Sequence, residues 1–278
     1  MLRSRKKQVQ QDKGFAVGGA IKPLDYLRRE YYSDISKLVR AMIDDMCYSI
    51  EHMYEHREDD ITFDGNPVND LNGLLNYKYR KWKKRFNKHA RRIAQKHIDS
   101  TDEAVTGALE RSITKAAPDF TIRGDSRDLL MRKKSIIDAN VDLITDLPEQ
   151  LYKDIQGDMQ RALQFGNDAD ALSKMLIVRG IQCRNRVALI TKDQISKATA
   201  VLSTQRALDN GIKYAVWRHS NGSAKPRKSH QEADGMVFEL AKGCLIDGEY
   251  ILPGTLINCD CFRQVIIGEP ELPARVSQ

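Results

Sequence analysis

Apolar residues recur at three- and four-residue spacing through most of the first 210 positions, and then the pattern stops. Leu24, Leu27, Tyr31, Ile35, Leu38, Met42, Met46 and Ile50 form one such stripe. It predicts a helix from about Pro23, a residue suited to a first helical turn, to about Arg57. A second stripe, Leu71, Leu75, Tyr79, Trp82, Phe86 and Ile93, continues through Val105, Leu109 and Ile113. It predicts a helix from about Val68 to Ser112, set off from the first by the turn formers Asp64-Gly65-Asn66-Pro67. Pro118 ends this region, and 119–128 read as a connector. Leu130, Ile136, Ile137, Val141 and Ile144 predict a helix over 129–147, with Pro148 breaking it or starting the next, which runs to about Phe165. Gly166-Asn167-Asp168 reads as a stop and cap, followed by a short helix to about Val178 that Gly180 ends. A last long helix spans 182–209, closed by Asn210-Gly211.

Beyond Gly211 the period shortens to two. Tyr214, Val216 and Trp217 alternate with Ala215 and Arg218, as in a strand. Further short strands are expected at 236–240, 249–252 and 262–267. The expected fold is mainly α, with long helices in the N-terminal two-thirds and a small C-terminal β-rich cap, α+β overall. Four segments follow: a flexible basic arm at 1–22, loosened by Gly14, Gly18 and Gly19; a long-helix region at 23–117; a second helical part at 118–211; and the cap with a short tail at 212–278. A chain of 278 residues can bury a core of its own. Charged residues make up 30%, and no apolar run reaches the length of a membrane span, so no membrane partner is expected. The arm carries Arg3, Arg5, Lys6 and Lys7 but no apolar run follows, so it does not read as a secretory signal.

The charge is concentrated. Residues 76–97 hold Lys78, Arg80, Lys81, Lys83, Lys84, Arg85, Lys88, Arg91, Arg92 and Lys96 and no acidic residue, while the whole chain has a net charge of only +7. On a helix with one apolar stripe, these cations cover the rest of the cylinder. Lys78, Lys81, Lys84, Arg85, Lys88 and Arg92 are the candidates for binding nucleic acid or an acidic protein surface. Phosphates facing such a helix would give salt-sensitive, sequence-independent binding. A plain solvated face is the third reading. The aromatics fall on the apolar stripe and are expected in the core.

The cap holds the chemistry-bearing residues. His230 precedes Cys259-Asp260-Cys261, and three such side chains are good zinc ligands. Cys244 or His219 is the candidate fourth. The alternative has His230 bonded to a turn while the cysteines pack as small apolar groups. A disulfide elsewhere among the five cysteines is a further option; Cys259 and Cys261 are too close in sequence to bridge without strain. His230 and Asp234 lie four apart, but no zinc-protease helix motif, nucleophile elbow or phosphate loop accompanies them. No catalytic residue is expected, and the protein is read as structural rather than enzymatic.

An ordered set of short elements resembles the phage head morphogenesis family, the Mu F-like minor head proteins of tailed bacteriophages. Asn140-Val141-Asp142-Leu143-Ile144 is similar to one family element, and Arg186 through Ile190-Thr191-Lys192-Asp193-Gln194-Ile195 to another. Gly211-Ile212, Tyr214, Trp217, Arg227-x-x-His230, Asp234-Gly235, Pro253-Gly254 and Asn258-Cys259-x-Cys261 follow in the family's order. The chain departs from the pattern at Asp260, where the family commonly has Arg, and in the loop Asn221-Gly222-Ser223-Ala224-Lys225, where an Asp is usual. Some relatives carry Cys-x-x-Cys in place of Arg227-x-x-His230, an exchange a metal site tolerates. The resemblance implies a minor head protein of the virion, held in the head interior near the portal vertex after assembly in the host cytoplasm. It implies the portal protein, the major capsid or scaffolding protein, and non-specifically bound double-stranded genomic DNA as partners. Travel with the ejected genome as a DNA-binding protein is the second function to weigh, and a metal-dependent nuclease or transferase the third. Trp217, Arg227, Asp234, Gly235, Pro253, Gly254 and Asn258 are then expected to lock the cap together, with structural zinc the candidate cofactor.

Overall fold

The computed structural model describes residues 15–58, 67–114, 120–164, 169–220, 222 and 225–270. The basic residues of the arm before Phe15, the turn formers 64–66 and the stop at 166–168 lie outside them. The elements are β1 (Phe15–Ile21), α1 (Asp25–Glu58), α2 (Pro67–Thr114), α3 (Arg127–Gln164), α4 (Ala169–Asp209), β2 (Tyr214–Arg218), α5 (Lys228–Glu232), β3 (Val237–Glu239), β4 (Cys244–Ile246), β5 (Glu249–Ile251) and β6 (Phe262–Gly268). The architecture is mostly helical α+β, as the two periodicities predict. No helix among the described residues is long and apolar enough to cross a membrane.

The chain divides into two compact units. One comprises Arg28–His97 and Ile137–Thr191. It is all helical, and its core is the meeting of four stripes: Tyr31, Ile35, Met42 and Met46 of α1; Leu75, Trp82 and Phe86 of α2; Ile144, Leu151 and Ile155 of α3; Leu172 and Leu176 of α4. Asn140 is buried here and accepts a hydrogen bond from the Tyr31 hydroxyl at 2.7 Å. The Tyr31 ring stacks on His97 with centroids 4.6 Å apart.

The other unit comprises Met1–Leu27, Ile98–Ile136 and Lys192–Gln278. Its four-stranded antiparallel sheet has the order β1-β6-β2-β3, and β4 and β5 form a separate hairpin. Trp217, Phe238, Leu240, Ile246 and Val265 pack with Leu109 and Ile113 of α2 and Ala207 of α4. A buried charge network lies in the same unit. Arg206 bonds Asp102 at 2.8 Å and Asp125 at 2.9 Å, and Lys133 bonds Asp102 at 3.1 Å.

Three expectations need correction. The flexible arm does not extend to residue 22, because Phe15–Ile21 is a strand paired with β6. Gly18 fits a close approach instead of loosening the chain. A Cβ on Gly18 would fall 2.1 Å from Ser112 Oγ of α2. Pro148 does not divide a helix; α3 runs through it. Gly180 likewise sits inside α4, where a Cβ would meet Ile43 Cγ1 of α1 at 2.8 Å. That glycine is a packing notch, not a stop.

Candidate metal centre

The centre lies in the sheet-bearing unit, and its frame is the pairing of β2 with β6. Trp217 stands opposite Arg263, and Arg218 opposite Phe262. That register brings the end of β2, which leads into His219, beside the start of β6, which follows Cys261. His230 sits on the one-turn helix α5 and is buried. Its ring meets Trp217 edge-on with centroids 5.2 Å apart.

Three ligand atoms converge. His230 Nδ1 is 3.4 Å from Cys259 Sγ and 3.6 Å from Cys261 Sγ. All three lie within 4.8 Å of one another, and all three residues are buried. His219 Nδ1 adds a fourth approach, 3.6 Å from Cys261 Sγ. Cys244 does not join them. It lies on β4 among apolar residues, and burial pushes its thiol up to about 11.

The sulfurs are ringed by donors. The backbone N–H groups of Cys261 and Gly254 serve Cys259. The backbone N–H of Ser220 favours the Cys261 thiolate in the same way, while the Trp217 indole Nε1 is buried without a hydrogen-bond partner among the described residues. Such donors stabilise thiolate over thiol. The two thiols also act on one another. The hydrogen bond from Cys261 holds Cys259 below the usual thiol range, against burial. Holding that proton, and then burial, pushes Cys261 up. Outside the cluster, His230 Nε2 is buried without a partner among the described residues.

The motif residues fasten this cluster. Asp234 accepts a hydrogen bond from the His219 backbone N–H at 3.0 Å. Gly235, at φ +91°, completes the turn and donates its N–H to the Trp217 carbonyl at 2.9 Å. Arg227 donates to the Ile257 carbonyl at 3.0 Å, tying the α5 side to the loop before the cysteines. Asn258 takes a left-handed conformation, φ +58°, immediately before Cys259. Gly254, at φ +89° and following the buried Pro253, leaves room for the Cys261 carbonyl, which a Cβ would meet at 3.2 Å. Asp260 pairs with Lys192 of α4 at 2.7 Å, a tie that no short-range sequence signal announced.

Arg263 is a second feature missed from sequence. It is fully enclosed, and burial pushes it down to about 9. One of its nitrogens donates to the Ala200 carbonyl and the Ser203 hydroxyl, while Nε and Nη1 find no partner among the described residues.

The cavity at the cluster holds about 20 Å³, bounded by His219, Arg227, His230, Asn258, Cys259 and Cys261. That is room for an ion or one water and not for an organic substrate. The buried His230, Cys259 and Cys261 cluster could hold a metal such as zinc.

In the helical unit, the basic segment of α2 separates into two sets. Lys78 and Lys81 bond Asp45 of α1 at 2.9 and 3.0 Å, Lys83 bonds Glu149, Arg91 bonds Asp138, and Lys96 bonds Asp34. Arg80, Lys84, Arg85, Lys88 and Arg92 are exposed and have no acidic partner among the described residues. Arg85 lies over the Trp82 ring at 4.7 Å. Of the six candidate binding cations, Lys78 and Lys81 are therefore engaged within the fold, and Lys84, Arg85, Lys88 and Arg92 are available.

Fold and site together define a mostly helical α+β protein with a buried thiol–imidazole centre. No family model and no solved structure matches the chain. It is similar to an uncharacterized protein of Haemophilus influenzae, 27% identical over 147 residues, which is 53% of this chain. The match spans 32% of that relative's own length.

Proposed function

We propose that the protein is a minor head protein of a tailed phage, associated with the portal, assisting head assembly and working without catalysis. One observation carries this reading. The residues that give the resemblance, Trp217, Arg227, His230, Asp234, Gly254, Cys259 and Cys261, converge on a single closed fastener and each has a structural task there. A cluster with room for one ion supports a structural centre over a substrate site. On this reading the occupant is structural zinc, whose binding energy becomes folding energy for a small β cap.

The test is co-purification of the full chain with its own portal protein, from procapsids and from isolated portals. Recovery in both is expected. Failure in both sinks the portal assignment.

A second reading has a specific observation behind it. The unpaired cations of α2 favour a protein that contacts packaged DNA, or leaves with it. Recovery of the chain with ejected DNA, in amounts matching its loss from the emptied head, would favour that version.

A further inference from the structure

We propose that His219 is the fourth ligand of the centre, closing it into a Cys₂His₂ zinc site that clamps the end of β2 to the Cys-x-Cys segment. This rests on the metal reading given above and goes beyond it in naming the coordination and what the metal joins.

The argument starts from the distances. Zinc binds Cys sulfur at about 2.3 Å and His nitrogen at about 2.0–2.1 Å in a tetrahedron, so sulfur and nitrogen ligands stand about 3.6 Å apart. The three sulfur–nitrogen separations here are 3.4 and 3.6 Å for His230 and 3.6 Å for His219. Each matches an edge of that tetrahedron, and each uses an Nδ1 atom. His219 is not within 4.8 Å of every other ligand atom, since the mutually close set is His230, Cys259 and Cys261. Closing the site therefore requires its ring to turn toward Cys259 and His230. The backbone there is fixed, since Asp234 holds the His219 N–H and β2 is locked to β6 up to Arg218. The ring is only half-buried and lines the cavity, so it has room to turn.

No other neighbour among the described residues suits the fourth position. Cys244 lies in the apolar core, Asp260 is drawn to Lys192, and Asp234 is turned to the His219 backbone. Two thiolates neutralise the dication, and backbone N–H groups that favour both thiolates would serve as outer-shell partners. Two thiolates and two imidazoles around a tetrahedral hole select zinc among the common divalent ions. With four protein ligands there is no open position for water, which makes the centre structural.

The experiment uses the full chain, stripped of metal and reloaded with Zn²⁺ or Co²⁺. Wild type should take up one equivalent, and its Co²⁺ form should show the intense ligand-field bands of a tetrahedral centre. His219→Ala should still bind metal but, measured by chelator competition, weaker by at least the roughly 10–100-fold that losing an outer-shell partner costs. Its Co²⁺ bands should change as water replaces a nitrogen. His219→Cys should restore tight binding with added sulfur-to-cobalt charge-transfer intensity. His219→Ala matching wild type in both affinity and spectrum overturns the fourth-ligand assignment while leaving the metal reading intact. Wild type that takes up neither ion overturns both. Circular dichroism of the variants after metal loading separates ligand loss from misfolding, since a folded His219→Ala with wild-type affinity counts against the proposal.

Discussion

Asp45 is where α1 spends one carboxylate on three partners. Lys78, Lys81 and the Trp82 indole all donate to it, the last at 2.7 Å. Burial alone would raise its carboxyl, but hydrogen bonds from Lys78, Trp82 and Lys81 overcome that and hold it down at about 2. A carboxylate depressed on folding contributes stability that is complete above the unfolded value of about 3.9 and is lost as pH falls through the folded value. Acid should therefore unfold the helical unit more readily between about pH 4 and pH 2. Asp45→Asn keeps an acceptor for the indole and loses the charge. It should cost about 1–2 kcal/mol at neutral pH and flatten the acid limb of the Tm–pH curve. An acid limb as steep as wild type would remove Asp45 as its cause. In the other unit, the charge that matters is Arg206. Its side chain is 8% exposed and that of Asp102 5%. Arg206→Met leaves the buried Asp102 carboxylate without its guanidinium and should cost about 3–5 kcal/mol by denaturant titration, the half-exposed Asp125 adding little. A loss below 1 kcal/mol would mean that Lys133 alone satisfies Asp102.

At the scale of elements, Gly180 decides between two accounts of α4. If it were a helix stop tolerated by accident, Gly180→Ala would stabilise by about 1 kcal/mol through helix propensity. The 2.8 Å approach of Ile43 forecasts the reverse, a net loss of about 1–2 kcal/mol from overpacking, read by thermal or denaturant unfolding. The same residue explains what sequence could and could not disclose. Stripes of period 3.6 and 2 made α1, α2, β2 and β6 legible to within a few residues. Pro148 and Gly180 suggested breaks because local rules see only the chain. The buried stripe Ile144, Leu147, Leu151 and Ile155 runs straight past Pro148 and outweighs its missing donor. β1 was hidden for the same reason, since a Gly-Gly pair looks loose until Ser112 and β6 are beside it. In the site, His230, Cys259 and Cys261 stood out as rare residue types at short range. The approach of His219, and not Cys244, to the cluster, the Lys192–Asp260 tie and the burial of Arg263 all depend on the β2–β6 register and on where α4 passes, which no spacing in the sequence encodes.

For the molecule as a whole, the concentrated charge of α2 has two jobs that mutation can separate. Lys78 and Lys81 are bound to Asp45, so they belong to the fold. Arg80, Lys84, Lys88 and Arg92 follow one another at four-residue steps, a row about 18 Å long on a helix rising 1.5 Å per residue, and they belong to whatever faces that surface. Unpaired like charges at that spacing repel one another slightly, so the row is a small liability to an isolated helix that a polyanion facing it would relieve. Each phosphate neutralised releases counterions and adds about 0.9 to the salt slope of duplex DNA binding. Replacing Arg80, Lys84, Lys88 and Arg92 by Gln should therefore weaken DNA binding and lower that slope by roughly 3–4, with Tm unchanged or slightly raised. Replacing Lys78 and Lys81 by Gln should do the opposite, lowering Tm while moving the slope little. Titrations of one duplex at several salt concentrations, run beside thermal melts of both variants, read the two effects separately. An unchanged slope in the four-site variant would rule out DNA as the occupant of this face. The row would then meet an acidic protein surface or plain solvent, and loss of the portal by the same variant in co-purification, with its melt showing it folded, would pick out the protein surface.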